Sequence, residues 1–224
     1  MVRFYSLGLA HASPPAANAV PTGGQVAAGN AQITQSGNTV TVNQGSQRAV
    51  INWQSFNVGS DATVNFQQPN ASAVTLNRVV GSERSVIDGA LNANGNVYIL
   101  NSNGVLFNRN AQVNVGGLVA STLNISDADF MAGKTTFEST GSRASVINLG
   151  TLTAANAGHI ALLGQHPRQQ GKAPHVEGKA ESQIAGALVQ QPGQPITGHV
   201  ELVRLVARRQ GHPVQLRHVP AFND

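Results

Sequence analysis

The sequence predicts an all-β protein, and three observations support that prediction. Short runs rich in Val, Ile, Thr and Phe recur roughly every 10 residues, and Gly, Asn, Ser or Pro closes each run. Within a run, apolar residues alternate with polar ones. No apolar stripe recurs at the three- and four-residue spacing of a long amphipathic helix. Strands that follow one another without intervening helices restrict the fold to a sandwich, a barrel or a β-solenoid.

Self-similarity favours the β-solenoid among these three folds. The segments VNVGGLVAST (113–122) and VINLGTLTAA (146–155) share an aliphatic pair, an Asn, a Gly turn and a second aliphatic pair. Asn is also frequent at the turns, where amides from successive coils can bond to one another. One coil cannot bury its apolar face alone, so the stability of the predicted fold depends on stacked neighbours.

Strand signals follow one another from residue 33 onward. The central stretch, 96–123, is the clearest, because almost nothing except Asn, Ser and Gly separates its apolar clusters. Asn103 and Gly104 accept a positive φ and predict a tight turn within it. The predicted strands lie at 39–44, 49–58, 63–68, 73–80 and 85–93, within the central stretch, and at 135–139, 145–154 and 159–164.

One short helical turn is predicted after the central stretch. Ser126 is followed three residues later by Asp129, which resembles a capping box, and Gly133 is a natural stop. We expect this turn to lie against one end or side of the strands. Asp127 and Asp129 could also bind a cation, but without further carboxylates nearby the capping role is favoured.

Residues 1–19 contain the parts of a secretory signal. Arg3 precedes a brief apolar patch at 4–10, which Ser6 and Gly8 interrupt, and small residues follow. The segment is therefore either a degenerate or mis-started signal peptide or a plain disordered terminus. A longer hydrophobic segment encoded upstream would decide for the signal peptide.

Composition and charge exclude several classes of protein. The chain has no cysteine, so packing and backbone ladders must hold the fold, and only 11% of its residues are charged. The formal net charge of +4 divides into +1 for residues 1–164, with seven Lys or Arg against six Asp or Glu, and +3 for 165–224, with seven against four. The basic excess thus belongs mostly to the tail, and no nucleic-acid partner is predicted. No apolar run reaches the roughly 20 residues that span a membrane, so we do not expect an integral helical membrane protein.

Three long motifs resemble one known family. They are FQQPNASAVTLNRVVG (66–81), GALNANGNVYILNSNGVLFNRNAQVNVGGLVAST (89–122) and ISDADFMAG (125–133). They are similar to the amino-terminal secretion domain of filamentous haemagglutinin-type exoproteins, the passengers of bacterial two-partner secretion. The resemblance extends from about Val20 to Gly164, which makes 20–164 the predicted domain.

The resemblance implies a right-handed parallel β-helix with an amino-terminal cap. It also implies a function without catalysis, metal or cofactor: recognition in the periplasm by an outer-membrane β-barrel transporter, through that transporter's periplasmic domains, and nucleation of β-helix folding. The chain would then be part of an adhesin- or haemolysin-type exoprotein that is secreted or displayed on the bacterial surface. It would act as a monomer. The alternatives are a β-helix enzyme acting on polysaccharide and a stand-alone fragment that adheres to carbohydrate or cells.

The candidate recognition residues are those that match the family's turn and its neighbouring motif. The Asn-Pro-Asn-Gly turn of the family falls on 101–104, so Asn101, Asn103 and Gly104 carry over, and Asn77 is taken from the preceding motif. Ser102 stands where the family has proline. Loss of proline frees one φ angle in the unfolded chain and predicts a less stable turn.

The tail, 165–224, departs from the family. It holds six of the ten prolines and five of the seven histidines, and proline within strands breaks their ladders. We therefore predict an irregular tail with a weak helix at 199–210. A reading-frame shift near Gln165 would explain the change, and the coding DNA tests this, since the native frame should restore a sequence rich in Val, Gly and Asn.

Two motifs, one after the helical turn and one in the tail, suggest phosphate or nucleic-acid binding, but neither has the neighbouring residues that such binding needs. Gly133-Lys134-Thr135 is similar to the end of a phosphate-binding loop, yet Ala128 stands where that loop needs glycine. Arg204, Arg208 and Arg209 lack an aromatic platform for nucleic acid, so a solvated charged run is favoured. The histidines show no metal-ligand spacing.

The enzyme alternative depends on carboxylates, and the first two-thirds of the chain has few. Asp61, Glu83 and Asp88 are the only acids before the central stretch, and we interpret them as solubilising surface residues. Trp53 and Phe56 lie in a strand-like run and are expected to fill the core or the cap.

Overall fold

The computed structural model describes residues 14–155 and 158–165, together with the backbone of three short strands in the tail. Most of the predicted signal segment and the helix predicted at 199–210 lie outside the described residues. The elements are β1 (Gln25–Ala28), β2 (Ala31–Ser36), β3 (Thr39–Gln44), β4 (Arg48–Trp53), β5 (Thr63–Gln67), β6 (Val74–Val79), β7 (Ser85–Ile87), β8 (Ala90–Ala93), β9 (Asn96–Leu100), β10 (Val105–Phe107), β11 (Gln112–Val115), β12 (Gly117–Ser121), α1 (Asp127–Met131), β13 (Thr136–Phe137), β14 (Val146–Asn148), β15 (Thr151–Ala154), β16 (Ile160–Gln165), β17 (Ile184–Val189), β18 (Ile196–Thr197) and β19 (Val214–Gln215).

The strands wind as a parallel β-helix, because each strand pairs in parallel with its equivalent one coil later. Connections between parallel strands are right-handed as a rule, which is the hand that the family resemblance implied. Three sheets form its walls. The broad sheet has the order β1-β4-β6-β9-β12-β16-β17, the polar sheet β18-β15-β11-β8-β5-β3-β2, and the short sheet β14-β10-β7. A full coil contributes one strand to each wall in turn, for example β8, β9 and β10.

The interior of the β-helix is filled by apolar side chains stacked in register. In the polar sheet, one inward position of each successive strand belongs to an aligned column, and every member of that column is buried. The alternate positions face outward and carry Thr and Asn. The column is Val40, Val64, Leu91, Val113 and Leu152. Each coil therefore buries its apolar face against its neighbours, which is why the alternating pattern in the sequence predicted these strands.

Antiparallel strands close the amino-terminal end of the two larger sheets, which is the predicted cap. β1 pairs with β4 in the broad sheet, and β2 pairs with β3 in the polar sheet. Neither strand was predicted separately, because β1 and β2 are mostly exposed and only two residues of β2, Ala31 and Ile33, alternate as apolar with polar ones. The cap covers backbone groups that an uncovered first coil would leave free to pair with another chain.

The broad sheet is buried on both faces, since the segment 122–145 folds over its outer side. There a second apolar cluster joins side chains of the sheet, such as Leu76 and Tyr98, to Phe130 of α1 and Phe137 of β13. The ring centroids of Tyr98 and Phe130 are 5.8 Å apart, and the Arg48 guanidinium lies 5.2 Å from the centre of the Phe130 ring. Burial also raises the pKa of the Tyr98 phenol above its ordinary value. This arrangement confirms that the helical turn lies against one side of the strands.

Helix α1 begins as the capping pattern predicted. The backbone N–H of Asp129 donates to Ser126 Oγ over 3.1 Å, and Ser126 Oγ donates to Asp129 Oδ2 over 2.9 Å. Lys134 Nζ lies 2.6 Å from Asp129 Oδ1, and the bonds from Lys134 and Ser126 hold the pKa of the Asp129 carboxyl below its usual range. Asp127 instead pairs with Arg78 across 2.5 Å. Asp129 thus takes part in the cap of α1, and Asp127 anchors the beginning of α1 to Arg78 of β6.

Removal of the helix cap should have a modest and local effect. We expect Ser126→Ala to lower the free energy of unfolding by about 1 kcal/mol, because one backbone N–H of the first turn loses its acceptor. Urea denaturation followed by circular dichroism measures the change. Ser36→Ala, at an exposed position of β2 whose side chain bonds to none of the described residues, is the matched control, and an equal loss there would contradict the capping role.

Several predicted strands have different bounds, and the corners of the coil explain why. The run predicted at 49–58 ends as a strand at Trp53, where the chain turns, although Phe56 and Val58 still point into the core. The run predicted at 85–93 divides into β7 and β8 at Gly89. A Cβ on Gly89 would lie 2.1 Å from the carbonyl oxygen of Gly59 in the preceding coil, so only glycine fits this corner. Trp53 and Phe56 are both core residues, as expected, with ring centroids 5.6 Å apart.

The two repeated phrases turn out to occupy different corners of the coil, which corrects the predicted repeat. Residues 113–122 turn from the polar sheet into the broad sheet, whereas 146–155 turn from the short sheet into the polar sheet. The true counterpart of β11 is β15, paired from Gln112↔Thr151 to Val115↔Ala154. The same pattern of aliphatic pairs around a Gly occurs at both of these corners, so the similarity indicated a coiled architecture but not which corner each phrase occupies.

The described parts of the tail do not continue the parallel coils. β17 pairs with β16, β18 with β15 and β19 with β13, in each case antiparallel. Among the described residues, no helix is long and apolar enough to cross a membrane.

Candidate functional site

The turn predicted for recognition lies at the corner between β9 and β10, and Asn101 holds it to the preceding coil. Asn101 is 1% exposed. Its side-chain nitrogen donates to the carbonyl oxygen of Glu83 and to Ser85 Oγ, each over 3.0 Å. Its backbone N–H donates to the carbonyl oxygen of Ser121 in the next coil over 2.9 Å. One asparagine therefore ties three successive coils together at this corner.

The backbone of the turn is fixed by Asn101 and Gly104. Asn101 Oδ1 accepts from the backbone N–H of Asn103 over 2.8 Å, and the carbonyl oxygen of Asn101 accepts from the N–H of Gly104 over 3.0 Å. Gly104 has φ +102°, and a Cβ there would lie 3.0 Å from the carbonyl oxygen of Ser145. A side chain would be strained by both the angle and the contact. The side-chain bond of Asn101 constrains the turn at the point where the family uses proline.

Only part of the turn faces solvent. Ser102 is exposed and Asn103 is half-buried, whereas Asn101 and Gly104 are buried. Asn103 Nδ2 donates to the carbonyl oxygen of Gly81 over 2.9 Å and approaches Asn101 Oδ1 at 3.2 Å. A partner of the folded domain can thus contact Ser102 and one side of Asn103, and little else of the motif.

Asn77 lies apart from the turn, inside the β-helix. It is fully buried in β6, where its Oδ1 accepts from Trp53 Nε1 over 3.0 Å and its Nδ2 donates to the carbonyl oxygen of Tyr98 over 3.2 Å. The structure therefore brings together Asn101, Asn103 and Gly104 and excludes Asn77 from their surroundings. In the folded state, Asn77 satisfies the indole N–H of a core tryptophan, and no partner can reach it.

A polar groove adjoins the exposed side of the turn. It is open, has a volume of about 590 Å³, and is formed by three segments that are distant in the sequence. Arg84 and Arg143 supply its charge. Ser142 Oγ donates to the carbonyl oxygen of Ser102 and so joins the groove to the turn. The lining residues are Ser82, Arg84, Ser102, Asn103, Thr140, Gly141, Ser142, Arg143 and Ala144. No sequence motif marked this groove, because it depends on the segment 122–145 returning to the corner.

The acids considered for glycan chemistry do not gather at this site. Glu83 and Asp88 lie at opposite ends of β7, and Asp61 lies in the turn before β5. Asp88 is buried, which corrects its interpretation as a solubilising surface residue, and its Oδ1 accepts from the backbone N–H of Asn110 over 3.3 Å. Among the described residues, no group of three or more His, Asp or Glu side chains could hold a metal ion.

Comparison with known proteins gives one family match and several relatives. A family model described as the TPS secretion domain matches residues 17–187. Two heme/hemopexin-binding proteins of Haemophilus influenzae are similar to the chain: one is 42% identical over 106 residues, which are 47% of this chain and 12% of the relative, and the other is 48% identical over 86 residues, 38% and 9% respectively. The chain thus matches about an eighth or less of the length of these relatives.

A solved structure is similar as well. The crystal structure of the HMW1 secretion domain from Haemophilus influenzae aligns with a TM-score of 0.58 and 33% sequence identity. The alignment covers 61% of this chain and 37% of that one. The likeness agrees with the β-helix fold that the strand pairing establishes.

Proposed function

The chain belongs to the TPS secretion domain family, and from that membership we propose that it is the export segment of an adhesin- or haemolysin-type exoprotein, recognised by a cognate outer-membrane transporter. The family is one of secretion domains and not of enzymes. Its members are exported through the periplasm, so the chain is secreted or displayed on the bacterial surface. The match over residues 17–187 is the observation that carries the proposal.

Recognition precedes folding in this proposal. Three of the four candidate residues, Asn77, Asn101 and Gly104, are buried in the folded domain, so a transporter can contact them only in the unfolded chain. The composition supports this order, since a chain without cysteine forms no disulfide that would obstruct a pore. The periplasmic domains of a β-barrel transporter are the proposed site of contact.

Folding then begins outside, from the amino-terminal cap. β2 and β3 pair along six residue pairs, from Ala31↔Gln44 to Ser36↔Thr39, around a short turn. Such a local hairpin costs little loop-closure entropy, so it can form early and serve as the template on which the next coil pairs. Because antiparallel strands also flank β15 and β16, we propose that the domain acts as a monomer.

Secretion of turn variants tests the proposal. With the cognate transporter co-expressed, the double variant Asn103→Ala, Gly104→Val should reach the medium far less than the unchanged chain. Quantitative immunoblots of the medium and the periplasm measure this. Asn108→Ala, in the turn at the next corner, is the matched control and should be secreted normally. Unchanged secretion of the double variant would reject a role for the turn.

A binding measurement separates recognition from folding, since Gly104→Val also strains the folded turn. The urea-unfolded chain is diluted onto the detergent-purified transporter, and the bound fraction is measured before refolding. The unfolded double variant should bind more weakly than the unfolded wild-type chain. Equal binding would assign any secretion defect to the fold and not to recognition.

A further inference from the structure

The groove beside the turn carries two of the unpaired positive charges of the described domain. Of the six Lys and Arg residues in the described segments, Arg78 and Lys134 form ion pairs and Arg48 lies over the Phe130 ring. The remaining three have no recorded partner among the described residues, and two of them, Arg84 and Arg143, line the groove. Two of the three described cations without a partner therefore lie in this one groove, which makes the groove a candidate site for an anionic ligand.

Arg84 is held in an unusual position for an unpaired cation. Its Nε is buried and has no hydrogen-bond partner in the described structure. A guanidinium whose buried Nε lacks an acceptor is costly, and an anion bonded to the terminal nitrogens of the Arg84 guanidinium would offset part of that cost. None of the described residues that line the groove is a carboxylate, so none of them competes for the two guanidinium groups.

The rest of the lining consists of neutral polar groups. Ser82 and Ser102 supply hydroxyls that form no side-chain hydrogen bond to a described residue. The Thr140 and Ser142 hydroxyls and the Asn103 amide nitrogen already donate to carbonyl oxygens of the protein, so Thr140 and Ser142 can offer a ligand mainly an acceptor. Hydroxyls and amides both donate and accept, which suits a ligand that carries many hydroxyls of its own. The volume of about 590 Å³ lies within the usual range for small-ligand sites.

We propose that this groove binds an acidic saccharide, with Arg84 and Arg143 bonded to a sugar carboxylate and the neighbouring hydroxyls bonded to the sugar ring. The groove exists only after three distant segments have come together, so it cannot be read in the unfolded chain. If export precedes folding, as proposed above, the groove first forms in the external medium. Saccharide binding itself does not depend on that proposal.

Calorimetric titration of the folded full-length chain with an oligogalacturonate tests the inference. We expect binding that weakens with salt, and no binding of the matching neutral oligogalactose. Arg84→Gln with Arg143→Gln should weaken the affinity about tenfold or more, because charge-assisted bonds to the carboxylate are lost. Arg109→Gln removes the third unpaired cation, which lies outside the groove, and should leave the affinity unchanged.

Several results would overturn the inference. Equal weakening by Arg109→Gln would indicate nonspecific attraction by net charge. Equally tight, arginine-dependent binding of oligoglutamate would assign the groove to acidic peptides, and no binding by the unchanged chain would remove the site. Arg143→Gln alone is a second variant at an exposed position, so a folding defect of the double variant would not prevent the test. Secretion of the double variant should be normal, which separates this site from transporter recognition.

Discussion

Phe130→Ala is expected to lower the free energy of unfolding of the domain by about 3–5 kcal/mol, the range for loss of a large buried aromatic side chain. Phe130 is fully buried between α1 and the outer face of the broad sheet, against Tyr98 and beneath Arg48. Its removal leaves a cavity that the short helix cannot close, because Arg78 holds the beginning of α1 through Asp127 and through the carbonyl oxygen of Ile125.

Urea denaturation of the folded chain measures this loss, provided that tryptophan fluorescence and circular dichroism give coincident transitions. Met131→Ala is the matched control, since Met131 is the next residue of α1 and is 37% exposed. We expect that control to change stability by about 0.5 kcal/mol or less. Similar losses from both variants would show that helix propensity, and not the cluster under α1, determines the effect.

The cluster under α1 illustrates what the sequence could and could not predict. The inward positions of β3, β5 and β11 alternate clearly with polar ones, so period-2 patterning located them. In the broad sheet both faces are buried, and runs such as VYIL in β9 lose the alternation. Patterning predicted a strand there, but it could not show that a segment some 30 residues later covers the outer face.

The candidate recognition residues also divide into those whose position the sequence could predict and those whose position it could not. Local turn chemistry located Asn103 and Gly104, and the family resemblance added Asn101. The burial of Asn77 was not predictable, because its partner Trp53 is 24 residues earlier and is placed beside it only by coil stacking. The groove required the meeting of three segments. Positions that depend on register between coils thus escaped prediction, whereas those that depend on neighbours in sequence did not.

Asn77→Leu should be the second large loss, about 2–4 kcal/mol, because two buried polar groups lose their partners. The Trp53 indole N–H would have no acceptor, and the carbonyl oxygen of Tyr98 would lose one donor. Asn114→Leu, at an exposed outward position of β11, is the matched control and should change stability by about 0.5 kcal/mol or less. Urea denaturation again measures both variants.

A double-mutant cycle with Trp53→Phe identifies the cause. Phe has no N–H, so Asn77→Leu should cost less in the Trp53→Phe background, with a coupling energy of about 0.5–3 kcal/mol for two side chains in contact. Additive losses would instead assign the effect to a poor fit of Leu inside the coil.

The Asn77→Leu variant also distinguishes a role of Asn77 in the fold from a role in recognition by the transporter. If Asn77 acts only in the fold, the urea-unfolded Asn77→Leu chain should bind the purified transporter as well as the wild-type chain does. Weaker binding of the unfolded variant would mean that the transporter reads this asparagine before the β-helix encloses it.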